Sequence, residues 1–133
     1  MKIRKLFAAF VAVILSVANI VAQDWPQYPG PYRNSKSDEK GIVRTWPANG
    51  PQVLWTVNVG PGFGGPAIKA GKVYFLDRDD QTGETMRCFD LNTGKELWKY
   101  SYSAPGSVMF PGNRYVPTVD GNFVYSCGHN GDL

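Results

Sequence analysis

The sequence predicts an all-β fold made of four-stranded antiparallel meanders, with about one and a half such units present. Three observations carry this. Gly and Pro are dense, with 15 and 10 in 133 residues, so turns punctuate the chain throughout. Between the turns lie short runs rich in aromatic and β-branched residues that alternate with period two, the signature of half-buried strands. The pattern then restarts: Pro66-Ala67-Ile68 matches Pro117-Thr118-Val119 and Val73-Tyr74 matches Val124-Tyr125, both 51 positions on.

The first element is an export signal. Lys2, Arg4 and Lys5 form a basic head, and Leu6–Val17 is an apolar run broken only by Ser16. Ala18–Ala22 is mostly small or uncharged, and Gln23-Asp24 opens a polar sequence. A basic head, about 7–15 apolar residues and a small residue at the cut describe a cleavable signal peptide. Cleavage is expected after Ala22, although Ile20 is bulkier than usual two places earlier. A membrane span needs about 20 apolar residues, and this run is shorter. No Cys lies near the cut for lipid attachment. The chain therefore divides into a signal peptide at 1–22, an extended arm at 23–52 and repeats at 53–133. The expected location is the periplasm or the exterior.

Cleavage changes the charge. The formal net charge is +3, but three basic residues leave with the signal, so eleven basic residues face eleven acidic ones. A near-neutral chain has no basic patch for nucleic acid or an anionic membrane, and no membrane span is expected after cleavage. The oxidising compartment permits a Cys88–Cys127 bridge without requiring one.

The arm is Pro- and Gly-rich, and its Trp25 and Trp46 are expected to pack onto the domain. Gly41–Trp46 suits a short strand or an irregular segment. Val53–Val59 alternates well and is expected as a strand. Pro66–Lys69, Lys72–Asp77, Thr85–Asp90 and Lys95–Tyr102 form the meander, joined at Ala70-Gly71, at a polar loop closed by Thr82-Gly83, and at Leu91–Gly94. Leu54-Trp55 also matches Leu97-Trp98, 43 positions on, and the two offsets differ because Ser103–Tyr115 carries about eight extra residues. A repeat of about 40–50 residues with four strands describes a β-propeller blade. Several blades must pack radially to share a core.

Residues 88–98, Cys88-Phe89-Asp90-Leu91-Asn92-Thr93-Gly94-Lys95-Glu96-Leu97-Trp98, resemble the repeat of the pyrroloquinoline-quinone-like (PQQ-like) β-propellers. That family's docking motif runs small residue, any, Asp, two any, Thr-Gly-Lys, two any, Trp. Asp90, Thr93, Gly94, Lys95 and Trp98 match it, with Cys88 in place of the usual Ala. Asn49–Trp55 is a degraded copy that keeps Gly50 and Trp55. Asp24-Trp25-Pro26-Gln27-Tyr28 with Gly30-Pro31 is similar to the start of many exported bacterial members. The resemblance covers essentially residues 24–133 and implies a structural role for the motif. Asp90 and Thr93 accept hydrogen bonds in the turn, Gly94 takes a positive φ, and Trp98 stacks on a neighbouring blade. A closed ring needs about four blades or more, so the chain is expected to be the N-terminal part of a longer protein.

The remaining candidates for chemistry are few. His129 is the only histidine, so no Ser-His-Asp triad or His-rich metal site is assembled from it. Beside Asn130-Gly131, it reads as a solvated turn residue. Asp77, Asp79, Asp80 and Glu84 suggest oxygen ligands for Ca²⁺, but Arg78 interrupts them and the spacing is irregular. They read as a solvated hairpin tip. Gly60–Gly65 lacks the Lys-Ser/Thr and the helix of a phosphate loop and reads as the path from one blade to the next.

Two function classes follow. One is a non-enzymatic scaffold of the cell envelope. Its partners would be the remaining blades of a longer chain and envelope proteins or glycans, with no catalytic, cofactor-binding or metal residue assigned. The other, implied by the resemblance to some members, is a PQQ-dependent dehydrogenase. Its quinone and Ca²⁺ would sit at the propeller centre beside an adjacent Cys-Cys pair, which this sequence lacks. Likeness to the propeller subunit of the outer-membrane assembly machine is of the same general kind, but that subunit is a lipoprotein and the lipid-attachment Cys is absent here. The scaffold is the favoured expectation.

Overall fold

The computed structural model describes residues 22–106 and 109–133. The expected signal peptide lies outside them, apart from Ala22. Among the described residues the fold is all-β, with no helix and none long and apolar enough to cross a membrane. Its strands are β1 (Ala67–Lys69), β2 (Lys72–Asp79), β3 (Gly83–Asp90), β4 (Glu96–Ser103), β5 (Thr118–Asp120) and β6 (Phe123–Tyr125).

β1 to β4 form one antiparallel sheet in sequence order, as the turn chemistry demands, and β5–β6 form a second hairpin. β2 and β3 run two residues further toward their shared turn than the alternation indicated, because Asp79↔Gly83 pairing closes it tightly. β4 pairs β3 with Cys88 opposite Trp98, and the register slips between Cys88 and Phe89, next to the following turn. The second hairpin copies the first. Ala67↔Tyr74 and Ile68↔Val73 reappear as Thr118↔Tyr125 and Val119↔Val124.

The core lies between the sheet and this copy. Ala67, Tyr74, Leu76, Met86 and Cys88 alternate along β1–β3 to one face and meet Val119, with Val116 and Val124 beside them. Leu76 and Cys88 are fully buried, and burying a leucine contributes about 1.5–3 kcal/mol. Both cysteines are free, and burial pushes the Cys88 thiol up.

The arm is tied down at its start. Trp25 and Ile68 exchange backbone hydrogen bonds at 2.8 and 2.9 Å, and Pro26 O accepts from Val119 N at 2.8 Å, so the arm spans both hairpins. Gly41–Trp46 is irregular, and Trp46 is 58% exposed rather than packed. The strand expected at Val53–Val59 is absent. Its alternation suits a strand, but among the described residues no strand pairs with it to complete a ladder. The Gly60–Gly65 connection runs beside the next one: Gly62 bridges Asn113 in parallel, and Phe63 N and Gly64 N both donate to Asn113 O.

Candidate functional site

Two polar constructions stand out, one at each end of the meander. The first is the turn between β3 and β4. Asp90 Oδ1 accepts from Asn92 N, Thr93 N and Thr93 Oγ1 at 2.8–3.0 Å, and Gly94 N donates to Asp90 O at 2.9 Å. These bonds, the Thr93 hydroxyl first, hold the Asp90 carboxyl below the usual range. Gly94 has φ +69°, and a Cβ there would lie 2.6 Å from the Trp55 indole. Trp55 Nε1 donates to Leu91 O at 2.8 Å. The turn is thus a seat for a tryptophan, and its occupant is the Trp of the degraded motif copy. Lys95 is exposed. Trp98 lies against Tyr74 with ring centroids 6.1 Å apart and is 42% exposed.

The sequence carries a second turn of this kind, missed because the loop was read as merely polar. Asp79 Oδ1 accepts from Gln81 N, Thr82 N and Thr82 Oγ1 at 2.9–3.0 Å, repeating the Asp-x-x-Thr-Gly spacing. A Cβ on Gly83 would meet Tyr102 O and Ala104 N, so this turn receives the end of β4 in place of an indole.

The second construction corrects the reading of the acidic loop and of His129. Arg78 and Glu84 have fully buried side chains, and His129 is largely covered rather than solvated. Arg78 Nε donates to Asp80 Oδ1 at 2.9 Å. Its NH1 donates to Glu84 Oε1 at 3.3 Å and to Ala104 O at 3.2 Å, and it stands 2.7 Å from His129 Nδ1. Its NH2 donates to Gly106 O at 2.5 Å. Glu84 also accepts from His129 N at 3.0 Å and from the Tyr102 hydroxyl at 2.6 Å. Burial pushes the Glu84 carboxyl up, but the bonds from Tyr102 and His129 and the Arg78 charge hold it below the usual range. Burial, then Glu84 itself, pushes the Tyr102 phenol well up. A buried guanidinium is tolerable only when paired and hydrogen-bonded, and this one joins β2, β3, the end of β4 and the loop after β6.

Chemically, the cluster is committed to holding the chain together. Both His129 ring nitrogens face Arg78, at 2.7 and 3.4 Å. The four acidic side chains diverge. Asp77 binds Arg87 Nε at 2.9 Å and Gly60 N at 2.7 Å, Asp79 serves its own turn, and Asp80 and Glu84 serve Arg78. Among the described residues, no group of three or more His, Cys, Asp or Glu side chains is arranged to hold a metal ion. Arg87 bridges onward to Glu96 Oε1 at 2.7 Å.

Beside these lies an apolar groove of about 680 Å³ between β4 and β6, lined by Met86, Trp98, Tyr100, Tyr102, Phe123 and Tyr125 among others.

Among known proteins, the chain is 30% identical over 99 residues to the tetrathionate hydrolase of Acidithiobacillus ferrooxidans. The alignment takes in 71% of this chain and 19% of that protein, so the chain spans about a fifth of the length of the curated relative. No protein-family profile and no solved structure matches the chain.

Proposed function

We propose that the chain is part of an exported PQQ-like β-propeller and acts as a non-enzymatic binding or scaffold module of the cell envelope. The observation that carries this is the Trp55 indole seated on Gly94 with its N–H on Leu91 O. A motif tryptophan from one repeat occupies the Asp-x-x-Thr-Gly turn of the next, which is how successive blades would be joined. The second hairpin, in the same register 51 residues on, supports the same reading. The buried titratable groups favour a scaffold because Arg78, Glu84 and His129 are engaged with one another.

A second reading is favoured by the similarity to a tetrathionate hydrolase. In it, this segment is part of the frame of an enzyme acting on tetrathionate, whose reacting groups come from elsewhere in the ring. The test is tetrathionate consumption by the protein expressed from its intact gene. A parallel assay follows dye reduction with added PQQ, Ca²⁺ and an alcohol or sugar. The scaffold reading expects neither above a no-protein control. Tetrathionate loss would establish the second reading. Chelator-sensitive dye reduction would establish a dehydrogenase.

A further inference from the structure

The connections that lead into β1 and β5 lie side by side, and the second departs from the repeat. Ser103–Tyr115 carries about eight extra residues. Insertions in one unit of a repeat fall in loops, and binding groups collect there because the frame does not need them. Asn113 pins the two connections together. It is buried, its O accepts from Phe63 N at 2.6 Å and Gly64 N at 3.1 Å, and its Oδ1 accepts from Tyr115 N at 2.7 Å. A Cβ on Gly112 would overlap Pro61 O and one on Gly64 would overlap Tyr115 O, so only glycines allow this approach.

The side chains carried on this joint form a recess. Phe63 stands edge-on to Phe110, with ring centroids 6.4 Å apart and an interplanar angle of 84°. The Arg114 guanidinium lies 5.5 Å from the Phe110 ring centre, and its NH2 donates to Phe110 O at 3.4 Å. Two hollows, of about 360 and 270 Å³, share Phe110 and Arg114 as a wall. Met109, Tyr115 and His129 line the larger, and Phe63 the smaller. Ligand sites run from about 300 to 1,000 Å³, so an occupant here is small.

The charge is one-sided. No Asp or Glu lines either hollow, whereas Asp77, Asp79 and Asp80 line the polar recess at the β2–β3 turn. Every Asp and Glu of the chain lies among the described residues, and none comes within ion-pair distance of Arg114. Arg114 is thus oriented by Phe110 and keeps most of its N–H fork, whose planar geometry matches an oxyanion. Phe63 and Phe110 are 71% and 55% exposed beside it. Exposed apolar surface rimmed by polar groups marks a binding site.

We infer that this recess binds a small oxyanion carried on an apolar body. The sulfonate or carboxylate head lies on Arg114, and the body lies against the Phe63 and Phe110 rings. The site goes beyond the scaffold reading, because it lies on an insertion that the repeat does not require.

Titration of the protein expressed from its intact gene tests this, with hexanesulfonate as the probe and calorimetry as the readout. Methanesulfonate lacks the body, hexylammonium reverses the charge, and hexanoate shows whether a carboxylate head serves as well. Hexanesulfonate or hexanoate is expected to bind, and both controls to bind more weakly. Arg114→Gln is expected to weaken binding by about 10-fold or more, and Phe63→Ala by about 5-fold. Both positions are exposed, so the melting temperature of each variant is expected to stay at the parent value and an altered ligand response is not a folding defect. No binding of either anion, equal binding of hexylammonium or methanesulfonate, or binding indifferent to Arg114→Gln overturns the proposal.

Discussion

At Gly94, φ is +69° and the space a Cβ needs is filled by the Trp55 ring. Gly94→Val combines a backbone conformation that β-branched residues avoid with displacement of the indole, and is expected to cost about 1–3 kcal/mol. Trp55→Phe keeps a ring and loses only the N–H donor to Leu91 O, so about 0.5–1.5 kcal/mol is expected. Chemical denaturation of both variants measures the difference, and equal shifts would argue against a packed seat. At Glu84 the folded carboxyl is held below its ordinary pKa by Tyr102, His129 and Arg78 despite burial. Its stabilisation is therefore complete above the unfolded pKa and lost as pH falls through the folded one. An acid titration of the melting temperature is expected to fall less steeply in Glu84→Gln than in the parent. His129→Ala keeps the backbone N–H to Glu84 but removes the ring nitrogen beside the buried Arg78 guanidinium, and is expected to destabilise the fold by about 1–3 kcal/mol, whereas a solvated turn residue would cost almost nothing.

At the scale of elements, the four strands of the meander were legible because alternation and turn residues agree there. The bonds of the Asp90–Gly94 turn were legible for the same reason, since Asp90, Thr93 and Gly94 each act on their own neighbours. Val53–Val59 was misread because alternation reports that a segment can be a strand, not that a partner is beside it. The Arg78–Glu84–His129 cluster was illegible for a different reason. Charged residues next to a turn look solvated, and their burial is decided by contacts 45 and 51 residues away. One signal was present: Asp79–Gly83 repeats the Asp90–Gly94 spacing, which marks a built turn rather than a loose loop. The packing of these elements predicts that Leu76→Ala, at 1% exposure in the β2 row of the core, costs about 2–5 kcal/mol in a denaturation experiment.

At the scale of the whole molecule, positions one repeat apart touch. Gly62 bridges Asn113, and Arg78 meets His129, each pair separated by 51 residues. Contact between equivalent positions is what a small, constant displacement from repeat to repeat produces, as in a ring or solenoid. Trp55 ties the segment before β1 to the Asp90–Gly94 turn. The Arg78 cluster ties the loop after β6 to the first sheet. The groove between β4 and β6 is lined by Trp98, Tyr100, Phe123 and Tyr125. The most direct test of this account is a crystal structure of the protein expressed from its intact gene, read at Trp98. The predicted result is a Trp98 Nε1 donating to a carbonyl in the next repeat's Asp-x-x-Thr-Gly turn, with the indole over the turn's glycine as Trp55 lies over Gly94. A Trp98 that remains half exposed against Tyr74, with no such turn beside it, would contradict the account.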